Sequence, residues 1–191
     1  MNLNNLDFKK LGIKDKEINL YLVWFNLYLE QFKINTPNRL IAFFGNLLHE
    51  SNYFKNVLEI ASGTAYEGNK NLGNIQKGDG VRFKGRGLGQ ITGRWNYQAF
   101  TDWVKKTFKI NVDFVKNPEL LEKPQWAVLS AFWYWEFKKL TVNADKGEFT
   151  TVAAIWNTGN GKSQNINGMR DRVDKENIVK QWLSSIINEN I

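Results

Sequence analysis

Cysteine is absent from the 191 residues, which excludes a disulfide framework, a thiolate metal site and a cysteine nucleophile. The lack of disulfides fits synthesis in a reducing compartment. Histidine occurs once, at His49. A lone histidine more often serves as a structural hydrogen-bonder, and nothing here supplies a Ser or Cys triad or a metal cluster. Long apolar runs are missing too. The richest stretch, Ile18 to Leu29, contains Asn19 and Asn26 and is too short to span a bilayer, so no stable membrane insertion is expected. The opening MNLNNLDFKKLGIKDKE lacks the charged, apolar and small-residue succession of a signal peptide. A soluble protein follows, one that needs another route if its substrate lies beyond a membrane.

What is present is apolar and basic. Hydrophobic residues make up 42% and aromatics 14%, enough for one compact domain or two lobes sharing a core. Most of the eight Trp are expected in that core, although indole faces also serve as stacking platforms in sugar clefts. Twenty-six Lys and Arg against nineteen Asp and Glu leave a formal charge of +7. That balance favours polyanionic partners, and nucleic acid, anionic lipid and acidic envelope polymers all qualify.

Apolar residues recur at helical spacing from Ile18 to Phe32. Thr36 and Pro37 read as an N-cap and first-turn proline for a second helix running to about Ser51. Further helical patterns cover Asn96 to Phe108, Pro124 to about Phe137 and Phe149 to Trp156, and a closing helix carries Val173 through Ile186 and Ile187. Between Gly63 and Gly93 lie nine of the fifteen glycines, which read as loops with a short hairpin. Long irregular segments in compact domains are functional or disordered, and Tyr66, Arg82, Phe83, Arg86 and Gln90 inside this one weigh against disorder.

Carboxylates carry the candidate chemistry. Glu50 ends an apolar helix on the flank of the Phe44 stripe, and partial shelter of that kind disfavours the charged form and suits a general acid. Periodicity alone favours a solvated glutamate at a helix end. Glu59 follows nine residues later. Such a pair can face across a cleft, at the separation of roughly 6.5–9.5 Å that inverting glycosidases use. The spacing permits this without requiring it, and Glu67 and Asp79 compete as second carboxylate.

His49-Glu50-Ser51, then Glu59, then Phe83-Lys84-Gly85-Arg86-Gly87-Leu88-Gly89-Gln90-Ile91-Thr92 and Asn96-Tyr97 resemble, in order, the signature of glycoside hydrolase family 19 chitinases and related phage endolysins. The interval from Glu50 to Glu59 resembles the compact bacterial members, and the stretch from Ala61 to Gly80 resembles the endolysins more than the chitinases. Taken singly, Gly85-Arg86-Gly87 reads equally as a turn, Asn96-Tyr97 as a helix start, and Gln90 with Thr92 as one face of a strand. Gly89 replaces an apolar residue of many relatives, and Trp95 is either a sugar platform or a buried anchor.

The resemblance implies a mainly α, lysozyme-like α+β fold forming a single catalytic domain over 1–191. Helices surround one core, and the glycine-rich excursion over about 61–93, with its small hairpin, forms a cleft wall. It implies Glu50 as general acid, Glu59 as general base and Thr92 as holder of the attacking water, with neither cofactor nor metal. It places His49, Tyr66, Arg86, Gln90, Asn96, Tyr97, Asn157 and Arg172 around the substrate, Arg172 as the support of the carboxylates. The expected partner is the glycan strand of bacterial peptidoglycan, cut by a monomer without nucleic acid. The enzyme would be made in the host cytoplasm without a signal peptide and would reach the wall after release or delivery. Chitin hydrolysis and non-catalytic wall binding are the alternatives.

Overall fold

The computed structural model describes residues 2–188. Among them the chain is mainly helical and packs as two compact units, one built from the chain up to residue 55 together with the chain from 134 onward, the other from 56–133. None of the described helices is long and apolar enough to cross a membrane.

The first unit contains α1 (Asn5–Lys10), α2 (Asp15–Gln31), α3 (Pro37–Glu50), and, after the second unit, α7 (Thr141–Asp145), α8 (Phe149–Thr158) and α9 (Met169–Asn188). Thr36 caps α3 as its sequence promises, its hydroxyl accepting from Arg39 N at 3.4 Å, with Pro37 in the first turn. Every residue of α3 from Leu40 to Leu48 is buried, because the helix is surrounded by α7, α8 and α9. Aromatic rings fill the space around it. Phe25 stacks on Phe54 with centroids 5.0 Å apart, and Phe43 meets Trp135 and Trp156 edge-on. Removing such a ring, as in Phe43→Ala, costs about 3–5 kcal/mol. Gly45 is the close-approach point between α3 and α9. A Cβ there would stand 2.6 Å from Glu176 Cγ and 3.3 Å from its Cα. Asp7 completes a capping box on α1 and accepts from Trp182 Nε1 at 3.0 Å, which ties α1 to α9. The side chain of Ile187 lies outside the described residues.

The second unit holds 3₁₀ turns at Thr64–Tyr66, Lys70–Leu72 and Pro118–Glu122, together with α4 (Asp79–Arg82), α5 (Arg94–Phe108) and most of α6 (Pro124–Phe137). Its core is Phe83, Tyr97, Phe100, Phe114 and Trp133, all buried. The expected hairpin does not form. Among the described residues only isolated bridges occur, Leu58 with Arg86 and Arg86 with Ile91. Positive φ at Gly63, Gly68, Gly73, Gly78, Gly87 and Gly93 turns the chain too often for a paired ladder. Side chains hold the excursion instead. The Glu67 carboxylate accepts from Gly78 N and Gly80 N, and Asp79 pairs with Arg94, Nε to Oδ2 at 2.9 Å. Both competitors of Glu59 are therefore structural.

Helix α5 begins two residues earlier than the apolar pattern indicates, directly after Gly93, and α8 extends two residues further, to Thr158. Helices α1 and α7 and the Pro118–Glu122 turn are too short to show a periodicity. Of the tryptophans, Trp133, Trp135, Trp156 and Trp182 are buried as expected, whereas Trp95 is 61% exposed.

Candidate active site

Glu50 is the last residue of α3, with a side chain 19% exposed, so the partial shelter expected from the Phe44 flank is present. Its Oε1 accepts from Arg172 Nη2. Arg172 is 1% exposed and fully engaged. Nη1 donates to Asn46 Oδ1 at 2.8 Å and Nε to the Asn167 carbonyl at 3.2 Å. Asn46 lies one helical turn before Glu50, so both ends of this clamp sit on one face of α3. The neighbouring residue His49 pairs through Nδ1 with Asp171 Oδ2 at 2.6 Å. Hydrogen bonding to His49, and then to Lys175, holds the Asp171 carboxyl below the usual range. Gly168 lies against the His49 ring, so closely that a Cβ there would overlap it. Two successive residues of α3 thus grip two successive residues of α9. His49 is part of that grip.

Tyr134 donates to the carbonyls of Trp156 and Ile155 at 3.2 and 3.3 Å. Burial, then the negative charge of Glu50, pushes its hydroxyl pKa up, so the phenol stays protonated. Asn157 is exposed at the end of α8 and its Oδ1 accepts from Asn167 N at 2.9 Å, bracing the loop that meets Arg172. Among the described residues, Trp156 Nε1 and Glu176 Oε1 are buried side-chain atoms without a hydrogen-bond partner.

Glu59 belongs to the second unit and is held differently. Its Oε1 accepts from the Tyr66 hydroxyl at 2.8 Å and its Oε2 from Gly85 N at 2.8 Å, while its own N donates to the Gly85 carbonyl at 2.9 Å. Two neutral donors thus orient both oxygens. Burial, then the bond to Glu59, pushes Tyr66 up to about 12, so it remains a donor at every ordinary pH.

The GRG turn supports this carboxylate from below. Gln90 adopts φ +50°, a left-handed conformation uncommon for a side-chain-bearing residue, and its Nε2 donates to the Gly87 carbonyl at 2.9 Å. Gly85 must lack a side chain, since a Cβ would meet Gln90 Oε1 at 2.5 Å and Glu59 Oε2 at 3.2 Å. Thr92 donates to the Gln90 carbonyl at 3.1 Å and keeps acceptor capacity for a further partner. Asn96 donates to the Thr92 carbonyl at 2.7 Å. Tyr97 is completely buried, donates to the Lys84 carbonyl at 2.7 Å and accepts from Arg86 Nη1 at 2.9 Å. Arg86 also reaches Glu122 at 2.9 Å. Arg86, Gln90, Asn96 and Tyr97 thus spend their polar groups on fixing the loop that carries Gly85 N.

Asn46, Asp171, Gly85 N and Tyr134 are additional members of these two sets. Only Asn46 left a trace in the sequence, as a polar residue four positions before Glu50 inside an apolar helix. No group of three or more His, Asp or Glu that could hold a metal occurs among the described residues.

No family profile matches the chain. A glycosyl hydrolase family 19 domain-containing protein of Haemophilus influenzae is 31% identical over 114 residues, 60% of this chain. The match spans 49% of that relative, about half its length. Chitinase C of Streptomyces griseus superposes with a TM-score of 0.70 at 17% identity, covering 95% of this chain and 92% of that one. A second bacterial family 19 chitinase gives 0.70 at 17% identity over 96% and 95%, and the class IV chitinase of Zea mays 0.59 at 20% over 95% and 82%. Motifs, sequence relative and fold agree: the resemblance of this chain to glycoside hydrolase family 19 is borne out, and its fold is that of the family 19 chitinases.

Proposed function

We propose that the chain is a glycoside hydrolase that cuts the glycan backbone of peptidoglycan by an inverting, two-glutamate mechanism. The observation that carries this reading is the contrast between the two carboxylates. Glu59 accepts from two neutral donors, the Tyr66 hydroxyl and Gly85 N, which aim its oxygens as a base needs. Glu50 faces Arg172, whose cation stabilises the carboxylate left once a proton has gone to the leaving oxygen. Glu59 takes a proton from the attacking water, which Thr92 helps to hold, and the C–O bond breaks as Glu50 protonates the departing oxygen. The sugar leaves with a new hydroxyl on the anomeric carbon, and both protons are accounted for. Peptidoglycan is supported by the endolysin-like stretch from Ala61 to Gly80 and by the +7 charge, which suits an acidic envelope.

Chitin is the second reading, favoured because the superposed structures are chitinases. Mass spectrometry of products from purified peptidoglycan and from soluble chitooligosaccharides, with wild type, E50Q and E59Q, separates the two. Glycan fragments with new reducing ends from peptidoglycan, reduced roughly 10²–10⁴-fold in either variant, are expected. Peptide-only products would overturn the mechanism, and turnover of chitooligosaccharides alone would move the substrate to chitin.

A further inference from the structure

Trp95 stands in the first turn of α5 with 61% of its surface exposed, an unusual position for the largest apolar side chain. It is nonetheless firmly seated. Gly73, at φ +72°, lies under its five-membered ring, and a Cβ on Gly73 would overlap Cδ1, Cγ and Nε1 at nearly equal distances. That equality means a face-on approach. One face of the indole is therefore covered by backbone, while 61% of the residue's surface stays open to solvent.

The seat is tied to the candidate base within the same unit. Asn74, next to Gly73 and fully buried, accepts from Arg94 N at 2.9 Å and donates to the Tyr66 carbonyl at 2.9 Å. Tyr66 in turn donates to Glu59. A continuous bonded track thus runs from the support of the indole to the carboxylate. The Trp95 Nε1–H makes no hydrogen bond among the described residues, and Gln98, one turn further along α5, is exposed, its Nε2 donating to Asp102 Oδ1 at 2.9 Å and its Oε1 left as an acceptor.

We infer that the free face of Trp95 is a stacking platform for a pyranose ring of the glycan, a binding subsite on the Glu59 side; the inference rests on the glycosidase reading. A pinned, single flat ring with a spare N–H and an adjacent amide matches the apolar face and polar rim of an N-acetylated sugar.

The test follows the indole Nε1–H signal of Trp95 by ¹H–¹⁵N NMR, assigned by its loss in W95F, while N-acetylglucosamine oligomers and peptide-free peptidoglycan strands are titrated into the E59Q protein. The expected result is a saturable shift of that signal and, by isothermal titration calorimetry in the same E59Q background, an affinity roughly tenfold weaker in W95A and largely restored in W95F. An unshifted signal, or unchanged affinity in W95A, overturns the inference. Hydrolysis by the wild type is scored separately, so an enzyme that cuts glycan with an indifferent Trp95 sinks only this subsite. Absence of both binding and cutting sinks the parent reading as well.

Discussion

Arg172 and Glu50, 122 residues apart in the chain, share an ion pair in which the arginine is 1% exposed. The guanidinium also holds Asn46 and the Asn167 carbonyl, so it fixes the glutamate against both α3 and the loop before α9. Lysine cannot reproduce this three-way hold, because its ammonium is a point charge without the planar fork. R172K is expected to retain the fold and lose at least about tenfold in kcat/KM on the glycan. R172A should also lower stability by about 3–5 kcal/mol, the usual result of breaking a buried pair. Steady-state kinetics and thermal melts check both numbers, and a fully active R172A would remove Arg172 from the site.

Glu59 gives a second pair of expectations. Y66F deletes one of the two donors to its carboxylate and should reduce kcat/KM about tenfold with little change in melting temperature. Since Tyr66 titrates only at about 12, the wild-type rate should show no phenolate step below pH 10. G85A acts from the other side. Its methyl meets the Gln90 amide, itself anchored to Gly87, and crowds Glu59. Loss of activity with a retained circular dichroism spectrum is expected. Wild-type rates in both variants would show that the donors to Glu59 do not matter.

Glu176 offers a stability test apart from the reaction. Burial pushes its carboxyl pKa up, opposed by Lys180 and Arg172, and one oxygen has no partner. A carboxyl with a raised folded pKa contributes stability that is complete below its unfolded value and lost as pH rises through the folded one. E176Q keeps the shape and cannot ionise. Its melting temperature should exceed that of the wild type at neutral pH, and the difference should shrink as pH falls below the ordinary carboxyl range. An advantage that grows on acidification would contradict this.

Inversion has a direct signature. ¹H NMR of the first product released from a β-linked oligosaccharide should show the α anomer before mutarotation. A β product would demand a covalent intermediate and carboxylates closer than the inverting separation.

Much of the fold was legible because α2 and α9 bury a stripe long enough to declare its period, while α3 and α6 carry apolar runs of helical length that are buried all round. The two glutamates are singled out by the ordered motif around them, not by periodicity, which favoured a solvated Glu50 where the structure shows a partly sheltered one. What escaped was pairing across long sequence distances. Nothing local marks Asp171 as the partner of His49, or Gly85 N as a donor to Glu59. The missing hairpin has a similar cause, since composition announces glycine but not which glycines take positive φ.

The double grip of α3 on α9 also has a meaning in time. A chain leaving the ribosome exposes Glu50 early, but its clamp exists only after residues 167 to 172 have been made and α9 has docked. A nascent polypeptide therefore carries an unclamped Glu50 for most of its synthesis. The late-arriving helix thus works as a built-in delay on the completion of this clamp.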